Sequence, residues 1–352
     1  MDALRPYALR AQIGCNGRGA SNLGDYAERS HQQKGVIVAN QTMSVRLENA
    51  PTTRKWGANW QEEWRQNRMA YGLLLPSVLA FALFLVFPIV NMFIAAFSTV
   101  DTLGRAVEFG TLDNFLTLLH DERMPMIIRQ TALFGFGTVA LTVVFAFPLA
   151  LILNTEFRGR TVAKALILIP WAMPFAVSAI TWRWIFHGQM GSLNYFLSQL
   201  GVIKEYVPWL GDPTLAFGAA MFVEVWSSVP FMTITFLAGL QAIPPHIYDA
   251  AKMDGASPWR EFLDMTLPQM RTVIMIVTLL SVIWAFRSFA VIWILTQGGP
   301  LYRTDIAVTY LYKLAVTNLD FGAGYALAVC IFVVLIIFSI LYTRVLGSRE
   351  DA

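Results

Sequence analysis

An all-α, polytopic membrane protein with six transmembrane helices is the fold class this sequence predicts, and three observations lead to it. Of its 352 residues, 56% are hydrophobic and only 14% charged, with a mean hydropathy of +0.53, far too apolar for a soluble chain of this length. Six apolar stretches, near 71–98, 130–153, 165–186, 214–240, 272–295 and 323–343, are each long enough for a hydrocarbon core that takes about 20 helical residues. Between the fourth and fifth stretches lies a polar island, Tyr248 to Pro268.

Residues 1–54 are rich in Arg, Gln, Asn, Ser and Gly without a hydrophobic period and read as a disordered tail, with Met43 a second plausible start within it. Ile13-Gly14-Cys15 faintly suggests a lipoprotein box, but the residues before it supply no apolar core for an export signal. Cys15 and Cys330 are the only cysteines, which argues against a disulfide or metal framework.

In residues 55–70, Trp56, Trp60 and Trp64 recur every four positions among Arg54, Lys55, Arg65 and Arg68. That pattern predicts an amphipathic helix in the headgroup region, with indoles at the interface and cations toward anionic lipid. The six-span domain follows over 71–343. Its spans must be helices because lipid offers no partner to an open backbone group. Pro76, Pro88, Pro148, Pro170, Pro174 and Pro230 predict kinks within them. Residues 344–352 form a short tail.

The polar island, within a loop over 245–271, has helix formers on both sides of Asp254-Gly255, where glycine permits a reversal, and reads as helix, turn, helix. Its apolar positions, among them Met253, Trp259, Phe262 and Leu263, are too many for a solvated connector and imply a covering partner.

Basic residues orient the chain. With both ends cytoplasmic, the inside segments hold 18 Lys and Arg: ten in 1–70, three in 154–164, three in 241–271 and two after 343. The outside segments hold six, namely Arg105, Arg123, Arg129, Lys204, Arg303 and Lys313. The excess inside places both termini and the Asp249 loop in the cytoplasm.

Ionisable groups within spans are costly and mark function or pairing. At 1.5 Å per residue, Glu224, Arg287 and Arg183 lie about 24, 22 and 27 Å from the cytoplasmic end of their spans. Glu224 is therefore expected to form an intramembrane ion pair with Arg287 or Arg183. Ser281, Trp284 and Ser288, with Arg287 alongside, share a face of the fifth span, and Trp226, Ser227, Ser228 and Phe231 lie at a comparable level of the fourth. Hydroxyls and a guanidinium suit sugar oxygens and aromatic rings suit the C–H face of a pyranose, so these eight residues are the candidate substrate path. Helix packing is the alternative use of Ser and Trp there.

Several classes fall away. A net charge of +3 is small for a nucleic-acid binder and the cations follow topology. The four histidines lie in the tail or in loops, which leaves no intramembrane catalytic cluster, and no nucleotide-binding motif is present. An ion-gradient-driven secondary transporter stays as the alternative class, although it would call for several membrane carboxylates and paired broken helices, against the single Glu224.

Asp249-Ala250-Ala251, then Gly255, then Met265-Thr266-Leu267-Pro268 resembles the Glu-Ala-Ala loop of binding-protein-dependent ABC importer permeases, with Asp249 for Glu and Met265 for Ile. Thr111-Leu112-Asp113-Asn114-Phe115, Gly191-Ser-Leu-Asn194, Trp209-Leu-Gly-Asp-Pro213, Leu240-Gln-Ala-Ile-Pro244 and Gln297-Gly-Gly-Pro300 are similar to segments of the carbohydrate-uptake branch, the maltose, trehalose and glycerol-phosphate-like permeases.

The resemblance implies a non-catalytic permease subunit of the bacterial inner membrane, importing a sugar or related polyol. Its implied partners are a second homologous permease, two ATP-binding subunits that hold ATP and Mg, and an extracytoplasmic solute-binding protein. This chain itself is expected to carry no cofactor. The residues implied in ATPase coupling are Asp249, Ala250, Ala251, Asp254, Gly255, Phe262, Leu267 and Pro268. An ABC permease for a non-sugar solute remains the alternative within the class.

Overall fold

The computed structural model describes residues 60–347, with side chains described over 68–344. The expected tail, Trp56 and residues 348–352 lie outside the described residues, as do the side chains of Trp60 and Trp64. The chain divides into two units at Val78 and Leu79. In the first, the described residues belong to helix α1 (Trp60–Phe81), which has no break at residue 70 to set an interfacial helix apart from a span.

The second unit continues through a π-helical turn, Ala82–Val86, into α2 (Phe87–Ala96). There follow α3 (Asp113–His120), α4 (Met124–Asn154), α5 (Arg160–Ala172), α6 (Phe175–Ile185), α7 (Ser192–Gln199) and α8 (Pro213–Ala242). Then come α9 (Pro245–Met253), α10 (Pro258–Gln269, with a π-helical middle), α11 (Arg271–Phe286), α12 (Phe289–Leu295), α13 (Ala307–Tyr312) and α14 (Phe321–Gly347). One two-stranded hairpin departs from the all-α expectation: β1 (Ser98–Val100) pairs antiparallel with β2 (Ala106–Phe109). Its turn forms because the Asp101 carboxylate accepts from the N–H groups of Leu103 and Arg105 while Gly104 takes φ +77°.

Four helices are long and apolar enough to cross a membrane, and six if each of two bent pairs counts as one span. The third expected span is one of those pairs: α5 and α6 meet at 91°. Met173 precedes Pro174, and the proline ring bars its neighbour from helical geometry, so Met173 is extended at φ −81°, ψ 134°. The fifth span is also corrected. It is the 16-residue α11, interrupted at Arg287 and Ser288 before the short α12. Pro148 and Pro230, by contrast, lie inside helices that run on without interruption.

The core is built on α4 and α8. Thr131, Thr138 and Thr142 sit buried along α4 with each hydroxyl donated to the carbonyl four residues back. Polar side chains are thus satisfied within the helix and leave a smooth packing face. Gly135 opens that face further, since a Cβ there would lie 2.3 Å from the Phe286 ring. Where α4 ends, Ala146, Phe147, Ala150 and Leu153 pack on Met232, Phe236, Leu240 and Met270. Where α4 begins, Phe134 packs with Val223, Ile292 and Ile306.

The loop motifs pin connections between helices. Asn114 Nδ2 donates to the carbonyls of Ala96 (3.0 Å) and Ser98 (2.8 Å). Asn194 donates to Gly188 and Val207 and accepts from Trp209 Nε1 at 2.8 Å, so the Gly191 and Trp209 motifs are two halves of one connection. Asp212 then caps α8 by accepting from the N–H groups of Thr214 and Leu215.

Candidate functional site

Two features stand at different depths of the second unit: a cavity between helices and the α9–α10 elbow. The cavity, about 370 Å³, is formed where α8, the end of α11, the start of α12 and the α5–α6 bend converge. Seven of the eight expected path residues line it: Ser227, Ser228, Phe231, Ser281, Trp284, Arg287 and Ser288. Trp226 does not; its ring packs edge-on against Trp182 at 5.4 Å, because residues 226 and 227 point to different sides of α8.

The cavity has an aromatic row that sequence reasoning missed in part. Trp171 stacks on Phe231 at 5.8 Å, and Phe231 meets Trp284 at 5.2 Å. Trp171 and Phe175 flank the Pro174 bend, so their place depends on a break whose angle is set by tertiary packing. The signal available was Pro174 itself with an aromatic residue on either side.

Polar groups converge on the same space. Ser288 Oγ donates to Glu224 Oε2 at 2.5 Å, and the Ser227 hydroxyl is buried there with no partner. The expected ion pair is not formed: no pair within 4 Å joins Glu224 to Arg287 or Arg183. Arg287 lies at the interrupted end of α11, where its exposed side chain lines the cavity while Ser288 takes the carboxylate. Arg183 lies past the 91° bend, on a separate groove with His187 and Thr296. What the cavity offers is hydroxyls, one carboxylate, one guanidinium and a row of rings, and among the described residues no group of His, Cys, Asp and Glu is placed to hold a metal.

The elbow forms as its sequence dictates. Gly255 takes φ +72°, its N–H donates to Lys252 O (3.0 Å), and Ala256 N–H donates to Ala251 O (2.9 Å). Those two bonds satisfy the last carbonyls of α9 in the manner of a glycine C-cap. Ser257 Oγ caps α10, and the Tyr248 and Thr266 hydroxyls, 3.1 Å apart, tie the two helices together. Ala251 is buried while Asp249, Ala250, Asp254, Leu267 and Pro268 are exposed. Phe262 packs toward the core, 5.9 Å from Phe147, and Trp259 stacks on its other side. Met253 (88% exposed) and Trp259 (67%) are left as an uncovered apolar tip.

Comparison with known proteins places this arrangement. Residues 142–349 match the family model described as binding-protein-dependent transport system inner membrane component. A probable ABC transporter permease protein of Brucella suis is 37% identical over 288 residues, covering 82% of this chain and 100% of that protein. The trehalose/maltose transport system permease protein MalF of Thermococcus litoralis is 36% identical over 293 residues, covering 82% of this chain and 97% of its own length. In fold, the chain is similar to a subunit in the crystal structure of a bacterial ABC transporter involved in import of the acidic polysaccharide alginate, with a TM-score of 0.71, 22% identity and coverage of 83% of this chain and 99% of that one. With more than half of its length matched by the family model and full-length relatives above 30% identity, the chain belongs to the inner membrane components of binding-protein-dependent transport systems.

Proposed function

We propose that this chain is a permease subunit of an ATP-driven importer and carries a sugar or related polyol through the cavity between α8 and α11. The observation that supports this most is the composition of that cavity. Ser227, Ser228, Ser281 and Ser288 offer hydroxyls beside the rings of Trp171, Phe231 and Trp284. A pyranose presents hydroxyls at its edge and C–H bonds on its face, and it is matched by such a wall at both. The relative named for trehalose and maltose supports the same solute class.

In this reading the α9–α10 elbow faces the cytoplasm and its uncovered tip, Met253 and Trp259, enters a separate ATPase subunit. α8 leads directly into the elbow through Ile243-Pro244, and α11 leaves it at Met270, so movement of the tip acts on both walls of the cavity. ATP and Mg stay with two ATPase subunits, a second permease completes the path, and an extracytoplasmic binding protein delivers the solute. Both termini lie inside. The chain's part is to hold two conformations of different affinity for its partners, which is what coupling requires.

The test is to isolate the complex through this chain, identify the solute its binding protein retains, and measure ATPase stimulation by the loaded binding protein. Stimulation by a sugar or polyol is expected. A complex stimulated only by amino acids would overturn the solute class.

A further inference from the structure

We propose that a second pocket, walled by Arg123, Tyr302 and Lys313 near the start of α4, binds a compact oxyanion: the carboxylate or phosphate of a small solute. Two cations distant in sequence converge on one ring there. The Arg123 guanidinium carbon lies 4.5 Å from the Tyr302 ring centroid and Lys313 Nζ lies 4.4 Å from it. The pocket holds about 220 Å³, and Trp293, Gln297 and Asn318 add further hydrogen-bond donors to its wall, with no Asp or Glu among its lining residues.

Two carboxylates lie close to these groups without lining the pocket. Asp305, whose side chain is fully buried, accepts from Lys313 at 2.5 Å and from Thr309 at 2.9 Å. Asp121 accepts from Tyr310 and lines a neighbouring groove that Arg123, Tyr310 and Asn318 also border. Lys313 thus has a buried carboxylate partner, and the exposed Arg123 guanidinium is the charge that the pocket offers an incoming group. A carboxylate or phosphate is the group that a guanidinium and an ammonium would hold there with charge-assisted bonds.

The wall is also preset. Gln297 at φ 53° and Tyr302 at φ 60° are non-glycine residues in the left-handed region, and both line the pocket. Such backbone persists where its surroundings over-determine it, and it clusters at ligand clamps. Here Thr304 Oγ1 donates to Gly299 O and Gln130 Nε2 donates to Arg303 O, each at 2.7 Å, to hold the loop from both sides. The identity of the natural ligand as a transported solute rests on the transport reading; binding of an oxyanion does not.

The test is calorimetric titration of the purified full-length chain in detergent with inorganic phosphate and with glucuronate, with glucose as the neutral control. Saturable binding of at least one oxyanion is expected, undisturbed by glucose and weakened about tenfold, as loss of one charge-assisted bond implies, in Arg123→Gln. Arg123→Lys should recover part of it. Should Arg123→Gln fail to fold, the exposed Asn318→Asp sets a carboxylate on the rim and should weaken binding as much. No saturable binding of either anion, or unchanged affinity in folded Asn318→Asp, would overturn the site. Failure of sugar transport would leave this titration as it stands, so the two readings fail separately.

Discussion

Ser288 Oγ donates a 2.5 Å hydrogen bond to Glu224 Oε2, and that contact joins α8 to the point where the fifth span is interrupted after α11. Ser288 is the residue before α12, at φ −72°, ψ 73°, so the carboxylate holds a side chain whose own backbone has left the helix. Ser288→Ala should therefore lower stability by about 1.5–3 kcal/mol, the range for a hydrogen bond to a charged group. A melting curve of the purified chain measures it. Glu224→Gln keeps an acceptor and should retain most of the stability, and a change in which solute is carried would identify the carboxylate as a solute contact.

Gly255→Pro should abolish ATPase stimulation by the loaded binding protein while the chain still reaches the membrane. Proline is locked near φ −65° and the position sits at +72°, so the elbow would be re-aimed. Ala251→Glu should act likewise, because Ala251 is 4% exposed and has no room for a carboxylate. ATPase assays in proteoliposomes decide it: normal stimulation in either variant would sink the coupling role.

Gly298→Ala should destabilise the connection between α12 and α13. The position takes φ +78°, and a Cβ there would lie 1.9 Å from Asp305 Oδ1. Displacing Asp305 would also strip Lys313 of its buried partner, so a loss of about 3 kcal/mol is expected, in the range for breaking a buried pair. Hydrogen exchange over residues 296–320 should report it locally.

Asn194→Leu should cost about 4 kcal/mol, roughly 1 for each of its four bonds, one to Gly188, two to Val207 and one to Trp209. Trp209 fluorescence should shift as its indole N–H loses its acceptor. An unchanged spectrum and melting temperature would refute the role given to the motif.

Trp171→Ala should raise the solute concentration needed for half-maximal uptake about tenfold, as expected from removing one stacked ring of roughly 1.4 kcal/mol. Trp226→Ala, outside the cavity, should leave that concentration unchanged. Solute uptake into proteoliposomes separates the two, and equal effects would mean that the ring row does not bind solute.

Much of this was legible in the residues. Apolar runs marked the membrane helices because a bilayer demands length and hydrophobicity, and both are local properties. Seven of the eight residues expected to line the path do line the cavity, and helical spacing by itself puts Ser281 and Trp284 on one face. Gly255 marked its own turn, since few other residues tolerate its φ.

What the sequence determined by itself was the class, the helices and the elbow, all of them matters of composition and short-range geometry. Tertiary structure alone decided how far the third span bends at Pro174 and where the fifth breaks, and with that which partner the buried carboxylate finds. Glu224 was matched to arginines by depth along straight helices. The interruption at Arg287 and Ser288 and the 91° bend after α5 moved both guanidiniums away and left Ser288 within reach. Depth along an axis is written in the chain, whereas the direction a side chain takes past a break depends on the helices packed around it.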